Sequence, residues 1–91
     1  MGITVRIASI LQEHLRIPGI VEVDGSTVGE CLDDLIRRYP ELDQLIHQGD
    51  MLQVLIGVNN EGAVPINSAH TPERGLRSGD EIRILAILAG G

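Results

Sequence analysis

The residues with the most chemical potential stand together at the C-terminal end, Leu88-Ala89-Gly90-Gly91. An apolar segment runs there straight into two residues without side chains. Glycine has no Cβ, so a Gly-Gly tail can thread a narrow channel and take backbone angles closed to other residues. A carboxylate on Gly91 would then sit at the tip of a thin arm, and Gly90, Ala89 and Leu88 would seat that arm in a partner. Such a shape suits chemistry in which a protein carboxylate is delivered into another enzyme's active site. The alternative reading is a frayed end.

Other reactive groups are sparse. All seven basic residues are arginine, so Schiff-base chemistry is excluded, as are lysine-linked chains of this protein with itself. A single cysteine, Cys31, cannot form an internal disulfide or hold an iron–sulfur cluster, which also excludes a β-grasp ferredoxin. It falls beside an apolar helical stripe and reads as a buried, inert thiol. His14, His47 and His70 lack metal-ligand spacing, and no metal site is expected. Asp33-Asp34 and Arg37-Arg38 read as solvated faces of a helix. Adjacent carboxylates on a helix point in different directions and do not form an acid–base pair.

Composition narrows the partners. The 91 residues suit one domain, 43% of them are apolar, and the only aromatic residue is Tyr39. Base stacking on aromatic side chains is therefore missing. The formal net charge of −6 also lacks a phosphate-backbone footprint, so nucleic acid is not an expected partner. A partner with a basic surface fits better. The sequence has no signal peptide and no apolar run able to span a bilayer, so a cytoplasmic protein without a membrane partner is expected.

The elements that must position the tail follow from periodicity. Alternation over Ile3-Thr4-Val5-Arg6-Ile7-Ala8-Ser9-Ile10 predicts a first strand. Pro18-Gly19 marks a turn and Ile20-Val21-Glu22-Val23 a second strand, giving an opening hairpin with a long, loose connection. Thr27-Val28-Gly29-Glu30 fits a capping box. The helix after it carries Val28, Leu32, Leu35, Ile36 and Tyr39 at spacings of three and four, until Pro40 stops it. Residues 41–47 suit a short second helix, with Leu42, Leu45 and Ile46 inward and a break at Gly49-Asp50.

Met51 to Val58 is an apolar run that reads as a covered strand. Asn59-Asn60-Glu61-Gly62 is a turn, and Ala63-Val64-Pro65-Ile66 a short edge strand, because Pro65 cannot serve a sheet centre. Glu81 to Leu88 is the final strand. Ile82, Ile84 and Ala86 share its core face. Leu85 and Ile87 share the other with Glu81 and Arg83, either as a docking patch or covered by a helix or loop. The order predicts an α+β, single β-grasp (ubiquitin-like) domain over 1–87. It has a mixed sheet of four to five strands, one main helix across it, the last strand parallel to the first, and a flexible tail over 88–91.

Several pieces together carry a resemblance. They are the opening strand with Ile10-Leu11, the Asp24-Gly25-Ser26-Thr27-Val28-Gly29 turn into the helix, the Val58-Asn59 hairpin, and Gly79-Asp80-Glu81-Ile82-Arg83-Ile84. The last leads into Ala86-Ile87-Leu88-Ala89-Gly90-Gly91. In these the chain resembles the ubiquitin-like sulfur-carrier proteins, the group containing the bacterial ThiS and MoaD carriers.

The resemblance implies a protein cosubstrate, not an enzyme. A ubiquitin-activating-like adenylyltransferase of the ThiF/MoeB class would use ATP to adenylate the Gly91 carboxylate. Sulfur would displace AMP to give a thiocarboxylate, and a sulfur-acceptor synthase would take the sulfur. The carrier itself would bind no cofactor. The opening segment and the Ala86-x-x-Ala89-Gly90-Gly91 ending look most like the carriers of cysteine or homocysteine biosynthesis. A molybdopterin synthase small subunit, a conjugating protein modifier and a plain β-grasp interaction module stay as alternatives.

Overall fold

A computed structural model describes residues 2–48, 52–67 and 71–88 of the chain. Its elements are β1 (Gly2–Ile7), α1 (Ser9–Leu15), β2 (Ile20–Asp24), α2 (Val28–Arg38), α3 (Pro40–Gln48), β3 (Leu52–Val58), β4 (Val64–Pro65), a 3-10 turn (Thr71–Glu73) and β5 (Glu81–Leu88). The five strands form one sheet in the order β2-β1-β5-β3-β4. β1 and β5 are parallel, with Val5 opposite Ile82, and the other pairings are antiparallel. This is the α+β, ubiquitin-like β-grasp arrangement, with β5 at the centre and β4 at an edge. The proline of β4 sits where its missing N–H costs no ladder bond.

Pattern and burial agree strand by strand. Ile3, Val5 and Ile7 of β1, Val54 and Ile56 of β3, and Ile82 and Ile84 of β5 point into one aliphatic core. Val28, Cys31 and Leu35 of α2 and Leu42 of α3 close that core from the helical side. Alternation is what a sheet needs when only one face is packed.

The helix start is built as the capping box predicts, with one difference. The Thr27 hydroxyl accepts from the Glu30 N–H at 3.2 Å. The Glu30 carboxylate reaches one residue further back than the box requires, accepting from the N–H and hydroxyl of Ser26 at 2.7 and 2.8 Å. Those bonds, the backbone one foremost, hold its pKa below the usual carboxylate value. The last turn ends at Arg38, and the Tyr39 N–H donates to the Leu35 carbonyl.

Two expectations need correction. The first strand does not run to Ile10, and the connection to β2 is not loose: it holds α1. Alternation ends at Ile7, and Leu11 and Leu15 then follow at a helical spacing of four. Leu11 is fully buried, and Leu15 packs partly against the core. Gln12 ties the helix back by donating to the Ile7 carbonyl at 2.7 Å. Arg16 closes it in a left-handed conformation, φ 56°.

The second correction concerns Asp34, which is not solvated: it is 6% exposed and lies under α2 against β2. Its carboxylate accepts from the Asp24 N–H at 2.9 Å and pairs with Arg37 and Arg38, so these arginines are ion-paired as well as exposed. The Asp24 N–H, more than the arginines, lowers its pKa.

Candidate functional site: the outer sheet face and the end of β5

The turn that launches β5 is assembled from two distant pieces. Asn59, at the end of β3, is left-handed with φ 53°. Its side chain donates to Asp80 at 3.1 Å and accepts from the Glu81 N–H at 3.0 Å. Its own N–H donates to the Glu81 carbonyl at 2.8 Å. Asp80 also accepts from the Arg77 N–H at 2.8 Å, and these bonds, the backbone one foremost, lower its pKa. Gly79 takes φ +95° in the same turn, where a Cβ would be strained. The Val58-Asn59 and Gly79-Asp80 pieces therefore meet in space and fix the register of the terminal strand.

From that clamp β5 runs outward through the middle of the sheet. Leu85 faces Leu55 across β3 and is half-buried on the side away from the helices. Ile87, opposite Gln53, is 50% exposed on the same side. Leu88, opposite Leu52 on the helical side of the strand, is 72% exposed. No helix or loop of the described residues buries Leu85 and Ile87. Ala89, Gly90 and Gly91, which are expected to carry the tail chemistry, lie outside the described residues, as does His70.

The outer face adds groups whose role the sequence reading did not single out. Arg6 of β1 stands beside Arg83 of β5 in register. Arg6 pairs with Glu81 at 2.7 Å. Arg83 instead donates to two backbone carbonyls, of Asn59 at 2.8 Å and of Glu61 at 2.7 Å. A groove beside it is lined by Ile20, Gln12, Gly19 and Leu85, with Arg6 and Arg83 at its polar side. Ile20 is 57% exposed there. The alternation around Arg83 showed its face. Its acceptors, in a turn more than twenty residues away, had no local signal.

The remaining candidates take no part in this surface. Cys31 is fully buried in the core, and burial pushes its thiol pKa up. No group of three His, Cys, Asp or Glu side chains among the described residues could hold a metal ion. No helix among them is long and apolar enough to cross a membrane.

A mixed sheet with β5 at its centre, its last strand exposed at one end, defines a ubiquitin-like β-grasp protein. The chain belongs to the ThiS family, whose profile matches residues 10–91. Solved structures agree. A chain of the Amycolatopsis orientalis BexX/CysO complex is 30% identical, with 98% of this chain and 99% of that chain covered and a TM-score of 0.71. Mycobacterium tuberculosis CysO is 25% identical, with 91% and 96% covered and a TM-score of 0.68. The small archaeal modifier protein 1 of Methanosarcina acetivorans is 26% identical, with 99% and 96% covered and a TM-score of 0.69. No protein of curated function matches the sequence.

Proposed function

We propose that the protein is a sulfur carrier whose Gly91 carboxylate is converted to a thiocarboxylate for a biosynthetic acceptor enzyme. Adenylation comes first. A carboxylate oxygen attacks the α-phosphorus of ATP on an activating enzyme of the ThiF/MoeB class, and pyrophosphate leaves. Hydrosulfide then attacks the acyl carbon and AMP leaves. The thiocarboxylate is a soft nucleophile held on a protein. Its sulfur passes to the acceptor, and hydrolysis or displacement returns the free acid. The carrier contributes no acid, base or metal to these steps, so it acts as a cosubstrate and binds no cofactor of its own.

The observation that carries this reading is the ThiS-family match spanning residues 10–91, which includes both the Asn59–Asp80 turn and the Gly-Gly end. Amino-acid biosynthesis is the favoured destination. The likeness of the terminal segment to those carriers supports it, together with 30% identity to a chain of the BexX/CysO complex. A cytoplasmic setting follows from ATP-dependent activation.

The deciding experiment is the intact mass after incubation with an activating enzyme, ATP and sulfide. Exchange of one oxygen for sulfur, localised to Gly91 and absent from a chain lacking it, is the expected result. An unchanged mass with an enzyme active on its own carrier would overturn the reading.

A modifier role is a second reading, favoured by the 26% identity to a small archaeal modifier protein. It uses the same activated Gly91, but a target lysine amine displaces AMP. Branched Gly-Gly adducts on lysines of other proteins would establish it.

A further inference from the structure

The outer sheet face presents a cation held in place before any partner arrives. Arg83 lies across β3 over Gly57, where a Cβ would come within 2.7 Å of its guanidinium. Its Nε and one terminal nitrogen are fixed by the Asn59 and Glu61 carbonyls. Carbonyls orient the fork without neutralising it, and the remaining N–H donors carry a full charge. No carboxylate of the described residues forms an ion pair with it. Arg6, Arg38 and Arg74, by contrast, pair with Glu81, Asp34 and Glu61. Arg83 also borders the groove lined by Ile20 and Leu85. In a chain of net charge −6, Arg83 is therefore a single unpaired cation beside the Arg6–Glu81 pair, which cancels itself.

We propose that Arg83 is the ionic anchor of the outer-face docking surface and reads a carboxylate set in an apolar patch of the activating enzyme. The inference rests on the carrier reading above and adds the chemistry of the partner's surface. A basic surround suits the acidic carrier at long range, while one partner carboxylate meets Arg83 at short range. The apolar rim of Ile20 and Leu85 excludes water from that pair, which is the setting in which an arginine dominates an interface. Because the guanidinium is already fixed by carbonyls, little side-chain freedom remains to be lost on binding. Arg83 is a positioning residue: it is proposed to act through docking and not on the reacting atoms.

The test is carrier-dependent ATP–pyrophosphate exchange by the activating enzyme, with wild-type chain, R83Q and R83E. The expected result is a KM for R83Q raised about tenfold, with kcat within about twofold and a weaker dependence of KM on salt. R83E should be worse, and an Asp or Glu to Lys substitution on the enzyme should restore it. That rescue separates anchoring from a role in holding the Asn59 turn, because no change in the partner can repair a damaged carrier. Exchange that proceeds on wild type with the KM of R83Q unchanged overturns the anchor and leaves the carrier reading intact. So does an R83E defect that no acidic-to-lysine substitution on the enzyme relieves. A wild-type chain that supports no exchange overturns the carrier reading, and the anchor falls with it.

Discussion

Asp34 and Arg38, one turn apart on α2, together close the free edge of β2. β2 is the outermost strand on its side of the sheet. Asp34 accepts from the Asp24 N–H at 2.9 Å, and Arg38 donates to the Glu22 carbonyl at 2.8 Å. The N–H of one strand residue and the carbonyl two residues earlier point the same way, so the two side chains stand where a neighbouring strand would bond. The ion pair between them, at 3.1 Å, holds both in place. An exposed edge is a template for pairing with another chain, and this one is occupied from within.

Replacing Asp34 with alanine removes the acceptor and leaves Arg37 and Arg38 without their carboxylate. D34A is expected to melt at a lower temperature than wild type and to dimerise with rising concentration through β2. Light scattering across a concentration series checks this. A D34A chain that stays monomeric and melts with wild type would show that the edge needs no guard.

Acid should loosen the same region and the β5 turn together. Asp34 and Asp80 have lowered pKa values, each owing first to a backbone N–H, that of Asp24 and of Arg77 respectively. A carboxyl whose folded pKa is depressed adds stability above its unfolded value, near about 4. That stability is lost as pH falls through the folded value. Melting temperature should therefore be flat from neutral pH down to about 5 and fall below about 4. D34N should flatten part of the fall.

Much of this architecture was legible. Alternation in β1, the stripe on α2, the Thr27–Glu30 cap and Pro65 on an edge are local patterns, and local patterns survive folding. What failed depended on contacts between distant segments. Asp34 sits at a spacing shared with Arg37 and Arg38, but its burial arises because the Asp24 N–H approaches from another strand. Helix α1 was hidden because Ile10-Leu11 follow β1 without a turn signal, and Ala8 caps the helix without a side-chain bond. Among site residues, the alternation of β5 placed Leu85 and Ile87 on one face, and their exposure is an observed property of that face. The clamp by Asn59 and the seat of Arg83 over Gly57 needed the pairing of β3 with β5.

Asn59 combines two roles that substitution can separate. Alanine at 59 loses both side-chain bonds and also strains at φ 53°, whereas glycine loses the bonds but accepts the angle. N59A is expected to be less stable than N59G by about 1 kcal/mol, the ordinary cost of a left-handed alanine. Both should fall below wild type. Urea denaturation of the three chains gives the comparison. Equal stabilities for the two variants would mean the turn relaxes out of its left-handed angle.

Ile84 and Ile87 test the division of labour on β5, because they lie three residues apart on opposite faces. Ile84 is fully buried, so I84A should cost about 2–5 kcal/mol, the range for truncating a core aliphatic. Ile87 is 50% exposed, so I87A should change stability by no more than about 0.5 kcal/mol. If the outer face is where an activating enzyme docks, the ranking reverses in function. At a temperature where both variants are folded, I87A should raise the KM for activation about tenfold, as loss of an interface apolar anchor does. I84A should leave KM near wild type. Melting curves read with exchange kinetics on the same samples decide it. An I87A chain with wild-type KM would move the docking surface away from the end of β5.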